Sequence, residues 1–384
     1  MKRLFLLASL VLVLFSVTFA QHGKSKESSI EKAAKQEQWT PEKANAWYIK
    51  QGWLVGCNYI PAYAINQLEM WQADTFDTLA IEKELALAES IGMNTLRVFL
   101  HDLLWLQDAA GFKKRIDKFL SISKQHHIKI VLVLFDSCWD PLPKLGKQKE
   151  PLKGVHNSGW VQSPGRYILE NMDAFPYLEQ YIKDIITTFA KDERVLLWDL
   201  FNEPDNDSFK TYGKLEAKEK SVLSFALLKK TFLWARAVNP SQPVCASIWS
   251  GDWSSHANMK EIDRFIVENS DVINFHLYTG PEEFSKQVGY LKRYNRPLFC
   301  TEYLARPIGS TFQNILPLAK QNNVAAYNWG FMEGKIQTAY PWDSWDKPYD
   351  HEPIVWFHDI FRKDGVPYSQ SEVEFIKQIT GKDK

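Results

Sequence analysis

Eight short apolar segments alternate with amphipathic segments along most of the chain, and this alternation constrains the fold more than any other feature. The apolar segments span residues 54–60, 95–100, 128–135, 195–201, 243–249, 272–278, 297–303 and 324–331. Their length and apolar character are typical of parallel strands that are covered on both faces. Eight strand–helix units in about 330 residues predict a single-domain α/β protein, a (β/α)8 barrel of the TIM type.

Between these segments, apolar residues recur at helical spacing. One series is Leu178, Ile182, Ile185 and Phe189, and another is Ile81, Leu85, Ala88 and Ile91. Asp77 is placed to cap the second of these helices, and Gly92 is placed to end it. Near the C-terminus, Ser371 and Glu374 fit a capping box for a final helix.

A doubly wound open sheet is the alternative arrangement of such strands and helices. It normally has fewer strands, or a glycine-rich phosphate-binding turn after the first strand. In this chain the first apolar segment continues as Asn58-Tyr-Ile-Pro-Ala, which contains no glycine. No repeat, low-complexity block or linker divides the sequence, so we expect one domain over residues 41–384.

The N-terminal residues have the pattern of a secretion signal. Lys2 and Arg3 precede an apolar run over residues 4–17, and small residues follow it up to Ala20. The run is too short to span a bilayer, so residues 1–20 are predicted to be a signal peptide that is cleaved after Ala20. Residues 21–40 are predicted to form a flexible lead-in. We therefore expect a secreted or periplasmic protein with no membrane segment after the signal is removed.

Composition excludes several classes of function. The chain has 46 basic and 46 acidic residues, so nothing indicates binding to nucleic acid or to an anionic membrane. Its four cysteines are Cys57, Cys138, Cys245 and Cys300, and three of them lie in strand segments, where free buried thiols are favoured over disulfides. Because Cys-x-x-Cys and Cys-x-x-His spacings are absent, no zinc site is predicted. We expect a monomer.

Two of the apolar segments end in a glutamate. Glu203 follows Asn202 at the end of the fourth segment, and Glu302 ends the seventh. A carboxylate at the end of a buried strand has a large desolvation cost, which indicates a function other than packing. In a barrel all strands end on the same face, so both carboxyls are predicted to meet there. Two such groups are the acid and the nucleophile that hydrolysis of a glycosidic bond requires.

The other strand ends are also polar or aromatic. They supply the candidate substrate-binding residues Arg97, Asp136, Asn202, Trp249, His276, Tyr278 and Trp329. Taken singly, each of these residues is at least as often structural, and only the ordered set indicates a site.

Two alternatives remain open from these residues. Asp136, Glu203, His276 and Glu302 are also possible ligands of a metal-dependent barrel hydrolase or isomerase. The second alternative is a carbohydrate-binding protein without catalytic activity on the same scaffold.

The ordered set resembles the clan A glycoside hydrolases, and most closely the cellulase-like family 5. The resemblance rests on Asn202-Glu203-Pro204 at the end of strand four and Glu302 at the end of strand seven. It also includes Arg97, the His276-x-Tyr278 pair and Trp329, and it covers the chain from about residue 52 to the last helix. The family usually has a histidine at the end of strand three, where this chain has Asp136.

The resemblance implies a retaining hydrolase of β-linked poly- or oligosaccharides such as mannan, glucan or xylan. It implies that Glu203 is the acid/base and Glu302 the nucleophile, held ionised by Arg97 and Tyr278. Asn202 would contact the sugar 2-hydroxyl, and Trp329 would lie under the central sugar. No cofactor and no metal are implied.

Overall fold

The computed structural model describes residues 38–383. The predicted signal peptide, residues 1–20, and most of the predicted lead-in, residues 21–40, lie outside the described residues. Within the described part, no helix is long and apolar enough to cross a membrane.

Nine parallel strands form a nearly closed barrel. They are Val55–Asn58 (β1), Thr95–Phe99 (β2), Lys129–Asp136 (β3), Val195–Asn202 (β4), Val244–Cys245 (β5), Ser247–Ile248 (β6), Ile273–His276 (β7), Leu298–Tyr303 (β8) and Ala325–Asn328 (β9). Their order in the sheet is β5-β4-β3-β2-β1-β9-β8-β7-β6. Because only Ala246 separates β5 from β6, the two edges of the sheet belong to one interrupted strand. The predicted (β/α)8 barrel is therefore confirmed, with its fifth strand split in two.

Helices follow the strands on the outside of the barrel. Those of the described region are Pro41–Ile49 (α1), Gln67–Trp71 (α2), Thr78–Ser90 (α3), Asp102–Gln125 (α4), Arg166–Leu169 (α5), Phe175–Phe189 (α6), Phe209–Tyr212 (α7), Lys220–Val238 (α8), Glu261–Asn269 (α9), Pro281–Leu291 (α10), Phe312–Gln321 (α11) and Gln370–Thr380 (α12). The cap predicted for α3 is confirmed, since the Asp77 carboxylate accepts hydrogen bonds from the backbone amides of Leu79 and Ala80. Gly92 follows this helix with a φ of +80°, as a helix-ending glycine does.

The predicted cap of the last helix is wrong by two residues. The side chain of Ser369, not Ser371, accepts the hydrogen bond from the backbone amide of Glu372. Two Ser-x-x-Glu patterns overlap here, and tertiary contacts favour the first. Glu372 forms a buried ion pair with Arg306, with a shortest N–O distance of 2.7 Å, and this contact sets where α12 begins.

The barrel interior is apolar at its N-terminal end and polar at its C-terminal end. Helix α1 closes the N-terminal end, where Tyr48 packs on Phe299 with ring centres 5.3 Å apart. Val131, Leu197, Phe299 and Tyr327 belong to the same buried cluster. Further along the strands, the buried residues include Arg97, Asp199 and Asn274. The polar C-terminal end thus rests on an apolar layer that excludes water from the N-terminal side of the barrel.

Three cysteines confirm the expectation of free buried thiols. Cys57, Cys245 and Cys300 lie on strands, are buried, and form no disulfide. Cys138 is also free, but it lies in the loop after β3 and is only partly buried.

The loop that follows β1 is held by a buried carboxyl group. Glu84 on α3 accepts hydrogen bonds from the Tyr59 hydroxyl, at 2.7 Å, and from the backbone amide of Ala62, at 3.0 Å. Burial raises the pKa of Glu84 to about 7, in spite of both hydrogen bonds.

We predict a fall in stability with rising pH that depends on Glu84. Because folding raises the pKa of Glu84, the folded state holds the proton on this carboxyl at pH values where the unfolded state has lost it. The stability that this bound proton contributes to the folded state is lost as the pH rises through about 7. Between pH 4 and 8 the free energy of unfolding should fall by about 3 kcal/mol through this group. Urea unfolding of wild type and Glu84→Gln across this range measures the difference. The variant should show a flatter pH dependence, and parallel curves would contradict the assignment.

Candidate active site

Arg97 is the centre of the polar layer at the C-terminal end of the barrel. It lies on β2, is fully buried, and donates to Asp199 Oδ2 from Nη2 at 2.8 Å and from Nε at 3.0 Å. Its Nη1 donates to Glu302 Oε1 at 3.0 Å and to Asn58 Oδ1 at 2.8 Å. Its Nη2 also donates to Asn202 Oδ1 at 2.6 Å. One guanidinium therefore connects strands β1, β2, β4 and β8.

Asp199 and Asn274 were missed by the sequence analysis, although both support this guanidinium. Asn274 Nδ2 donates to Asp199 Oδ2 at 2.8 Å, and the Ser247 hydroxyl donates to the same oxygen at 3.2 Å. A signal for Asp199 was present, because a charged residue stands in the middle of the apolar strand β4. A buried carboxylate needs a cationic partner, and Arg97 on β2 is that partner.

The two glutamates meet at this end of the barrel, as predicted. Glu203 comes directly after β4 and is 7% exposed, and Glu302 lies on β8 and is 6% exposed. One carboxylate oxygen of Glu203, one of Glu302 and one ring nitrogen of His276 all lie within 4.8 Å of one another. His276 Nδ1 is 2.6 Å from Glu203 Oε1 and 3.5 Å from Glu302 Oε2. The Tyr278 hydroxyl donates to Glu302 Oε2 at 2.7 Å.

The surroundings of the two carboxyls differ. Burial raises the pKa of both, and a nearby carboxylate adds to the rise in each case: Asp205 for Glu203, and Glu203 for Glu302. The Arg97 guanidinium and the Tyr278 hydroxyl bind Glu302 directly and oppose this rise. Among the described residues, no Lys or Arg side chain hydrogen-bonds to Glu203, so direct stabilisation of an ionised carboxylate by a guanidinium is specific to Glu302. Burial also lowers the pKa of His276 to about 4, which leaves its ring neutral near pH 7.

Glu203 is fixed by its backbone and by two donors. Its φ is +43°, a left-handed conformation that costs a non-glycine residue about 1 kcal/mol and often marks a functional site. Its Oε2 accepts from Asn206 Nδ2 at 2.6 Å and from the Cys138 thiol at 3.2 Å. The sequence analysis named neither donor. Asn206 and Cys138 lie in loops, where no periodic pattern marks the direction of a side chain.

Asp136 lies at the end of β3, as predicted, but its oxygens bind protein groups. They accept from Trp160 Nε1 at 2.6 Å, from Asn202 Nδ2 at 2.9 Å and from the backbone amide of Cys138 at 3.0 Å. Asp136 is thereby placed to orient Asn202 and the start of the loop after β3.

The two predicted tryptophans flank the polar cluster without joining it. Trp329, 8% exposed, packs edge-on against Phe99 and Trp160 with ring centres 5.8 Å and 5.6 Å away. Trp249, next to β6, donates from Nε1 to Asp205 Oδ1 at 2.6 Å.

The structure thus joins Arg97, Asn202, Glu203, His276, Tyr278 and Glu302 in one hydrogen-bonded cluster, with Asp136 attached through Asn202.

The loops after β3 and β9 form an aromatic wall beside the cluster. Trp139 stacks on Trp345 with ring centres 5.4 Å apart and an angle of 12° between the planes. Trp345 Nε1 donates to the carbonyl of His156 at 2.8 Å, which ties the two loops together. Trp342 is 40% exposed, and its ring centre is 5.1 Å from that of Tyr278. An aromatic face is therefore available to a ligand next to the residue that holds Glu302.

The four residues considered as metal ligands do not come together as a set. Glu203, His276 and Glu302 do, but Asp136 instead accepts from Trp160, Asn202 and Cys138. Glu302 Oε1 is bound to the Arg97 guanidinium at 3.0 Å, so a divalent cation in this cluster would lie close to a fixed positive charge. The hydrogen-bond donors around the two glutamates are suited instead to an ionised Glu302 beside a protonated Glu203.

Comparison with known proteins agrees with this geometry. The sequence model of the family described as Cellulase (glycosyl hydrolase family 5) matches residues 62–347. No curated protein sequence matches the chain.

Solved structures share the fold at low sequence identity. GH5_18 from Streptomyces cattleya, in complex with GlcNAc, has a TM-score of 0.57 at 11% identity, over 86% of this chain and 80% of that one. An exo-β-1,4-mannosidase from Opitutaceae bacterium strain TAV5 has a TM-score of 0.55 at 18% identity, over 85% of this chain and 60% of its own. A β-1,4-mannanase from the sea hare Aplysia kurodai has a TM-score of 0.52 at 16% identity, over 72% of this chain and 88% of that one.

The family match covers most of the chain, and it includes the strand ends that carry Arg97, Glu203 and Glu302. The solved structures show the same barrel independently. The chain therefore belongs to glycoside hydrolase family 5, and it is a glycosidase.

Proposed function

We propose that the protein hydrolyses β-linked glycosides by double displacement, with retention of configuration at the anomeric carbon. The observation that carries this proposal is the pair Glu203 and Glu302, which present oxygens within 4.8 Å of each other. Retaining enzymes separate their two carboxyls by about 5 Å, whereas inverting enzymes need about 6.5–9.5 Å to admit a water molecule.

Glu302 is the nucleophile in this proposal. The Arg97 guanidinium and the Tyr278 hydroxyl each donate to one of its oxygens, at 3.0 Å and 2.7 Å, and favour the ionised form. The carboxylate attacks the anomeric carbon as the glycosidic bond breaks, which gives a glycosyl-enzyme ester. Ester formation removes the negative charge of Glu302 from the site.

Glu203 is the acid and then the base. Burial raises its pKa and so favours the protonated form, from which it donates a proton to the leaving oxygen. Once Glu302 is esterified, its charge no longer opposes the ionisation of Glu203. Glu203 then takes a proton from the water molecule that cleaves the ester, and the first state is restored.

The remaining cluster residues position the sugar. Asn202 is fixed by Arg97 at Oδ1 and by Asp136 at Nδ2, and we propose that its amide contacts the 2-hydroxyl. Such contacts strengthen in the transition state. Trp329 lies next to β9 on the same face of the barrel and offers an aromatic surface under the central sugar.

We propose β-mannosides as the first substrate class to test. Similar structures include a β-1,4-mannanase, an exo-β-1,4-mannosidase and two GH5_18 enzymes in complex with Manb1-4GlcNAc. The aromatic wall formed by Trp139, Trp345 and Trp342 supports a shaped pocket on one side of the cluster. Hydrolysis of a panel of β-mannosides, β-glucans, xylans and aryl glycosides would identify the sugar and separate endo- from exo-action.

The first prediction concerns the two glutamates. Glu302→Gln removes the nucleophile, and Glu203→Ala removes the acid/base, so each should lower kcat by about a hundred-fold or more on unactivated glycosides. Azide should restore part of the activity of Glu203→Ala on aryl glycosides, because it needs no general base, and it should give a β-glycosyl azide.

Glu282→Gln is the matched control for this prediction. Glu282 is exposed on α10 and is not part of the hydrogen-bonded cluster, so its variant should retain wild-type kcat. Unchanged turnover in Glu302→Gln would contradict the proposed function.

The second prediction concerns pH. The profile of kcat/KM should be bell-shaped, with its acidic limb set by protonation of Glu302 and its alkaline limb by ionisation of Glu203. Tyr278→Phe removes a donor that stabilises ionised Glu302, so it should raise the pKa of this group and move the acidic limb to higher pH. An acidic limb that stays in place would exclude Glu302 as its origin.

The third prediction separates this mechanism from metal-dependent hydrolysis. Activity should be unchanged after extended dialysis against EDTA, since the Arg97 guanidinium and the Tyr278 hydroxyl already donate hydrogen bonds to both oxygens of Glu302. Loss of activity in EDTA, with recovery on adding a divalent cation, would favour the three-residue cluster as a metal site instead.

A further inference from the structure

Cys138 lies beside the acid/base residue, in the first turn of the loop after β3. Its Sγ is 3.2 Å from Glu203 Oε2, 3.4 Å from Asn202 Nδ2 and 3.6 Å from Asn206 Nδ2. A sulfur atom in contact with three polar side chains of the cluster is not explained by apolar packing.

The direction of these hydrogen bonds follows from the chemistry of the groups. The amides of Asn202 and Asn206 can only donate through Nδ2, so the sulfur accepts from them. The single thiol hydrogen is therefore left for Glu203 Oε2, which is an acceptor. Burial and the nearby carboxylates raise the pKa of the Cys138 thiol well above its usual range, so the hydrogen stays on sulfur.

Among residues 38–383, the hydrogen-bond partners of Glu203 Oε2 are consequently two donors and no acceptor. Asn206 Nδ2 donates at 2.6 Å, and the Cys138 thiol donates at 3.2 Å. The hydrogen atoms of Asn206 Nδ2 and of the Cys138 thiol already bond to the lone pairs of Oε2. A proton on Oε2 would therefore lie against these two hydrogen atoms. Oε1, in contrast, lies 2.6 Å from His276 Nδ1, and a neutral imidazole has one nitrogen that can accept.

We propose that Cys138 is a positioning residue for the acid/base: together with Asn206 it keeps Oε2 of Glu203 unprotonated, so that Oε1 carries the catalytic proton. The catalytic meaning of this inference rests on the proposed function, whereas the placement of the proton follows from the contacts of Glu203 and from the neutral state of the thiol and the imidazole. A weak S–H donor, rather than an alkyl group or a charged donor, stabilises the ionised form only slightly. Such a donor orients the carboxyl while leaving it able to hold a proton.

The backbone around Cys138 is held rigidly, as a positioning role requires. Its amide donates to Asp136 Oδ1 at 3.0 Å, and the Ser137 hydroxyl donates to the carbonyl of Pro204 at 3.1 Å. The buried Lys220 ammonium donates to the carbonyl of Ser137 at 2.7 Å. The thiol is thus fixed directly to the segment that carries Glu203.

Other ionisable groups also act on Glu203 and stay constant in the test. They are Arg97 on β2, Asp136 on β3, Asp205 after β4, His276 on β7 and Glu302 on β8. A change at Cys138 alone leaves their charges and strands in place, so a shift in the ionisation of Glu203 can be assigned to the thiol.

Infrared titration of the Glu203 carboxyl tests the proposal without any substrate. The spectrum of Glu203→Gln, subtracted from that of the parent protein at each pH, isolates the carboxyl band of this residue. In Cys138→Ala the midpoint should move to higher pH, because the ionised form loses a donor. In Cys138→Ser, which keeps an O–H donor, the midpoint should lie at or below that of wild type. A midpoint in Cys138→Ala that is unchanged or lower would overturn the proposal.

Matched variants keep the result interpretable. Cys57→Ala removes a buried thiol from β1, away from the catalytic carboxyls, and should not move the midpoint. If Cys138→Ala does not fold, Cys138→Val gives the same comparison with Cys138→Ser, and equal midpoints in the two would overturn the proposal. Since the titration needs no turnover, a failure of the proposed function would appear separately, as unchanged hydrolysis in Glu302→Gln.

Discussion

The buried ion pair between Arg97 and Asp199 is the interaction on which the catalytic end of this barrel depends. Both side chains are fully buried, and their closest N–O distance is 2.8 Å. An isolated charge at this depth would be unstable, so the guanidinium is tolerated because Asp199 balances it and further acceptors surround it. With its charge balanced by Asp199, Arg97 can bind Glu302 and Asn202 as well, and it sets the positions of both relative to each other.

Two glutamates with almost equal exposure acquire different chemistry from their neighbours. Glu302 contacts a guanidinium and a hydroxyl, and both favour its charged form. Glu203 contacts an amide, a thiol and a neutral imidazole, which orient it without a full positive charge. Desolvation therefore acts on both carboxyls, and the difference between them arises from direct hydrogen-bond partners. In the mechanism that we propose, this difference allows one group to attack while the other holds a proton.

The sequence was sufficient to predict the barrel and the two glutamates, because strand periodicity and strand ends are local features. The eight predicted strands recur in the structure, although the fifth is interrupted at Ala246. The cap at Ser371 was wrong because the ion pair of Glu372 with Arg306, which is formed across 66 residues, decides between two equivalent local patterns. The contacts of Cys138 and Asn206 were out of reach for a similar reason, since loops place side chains through tertiary contacts. Asp199 was within reach, as a charge in an apolar strand.

The anomeric configuration of the first product distinguishes double displacement from single displacement at the anomeric carbon. If Glu203 is the acid/base and Glu302 is the nucleophile, with oxygens within 4.8 Å, hydrolysis proceeds through two inversions at the same carbon. Proton NMR during the first minutes of hydrolysis of a β-glycoside, before mutarotation, should show the β-anomer of the released sugar. An initial α-anomer would mean a single displacement by water, and it would contradict the assignment of Glu302 as the nucleophile.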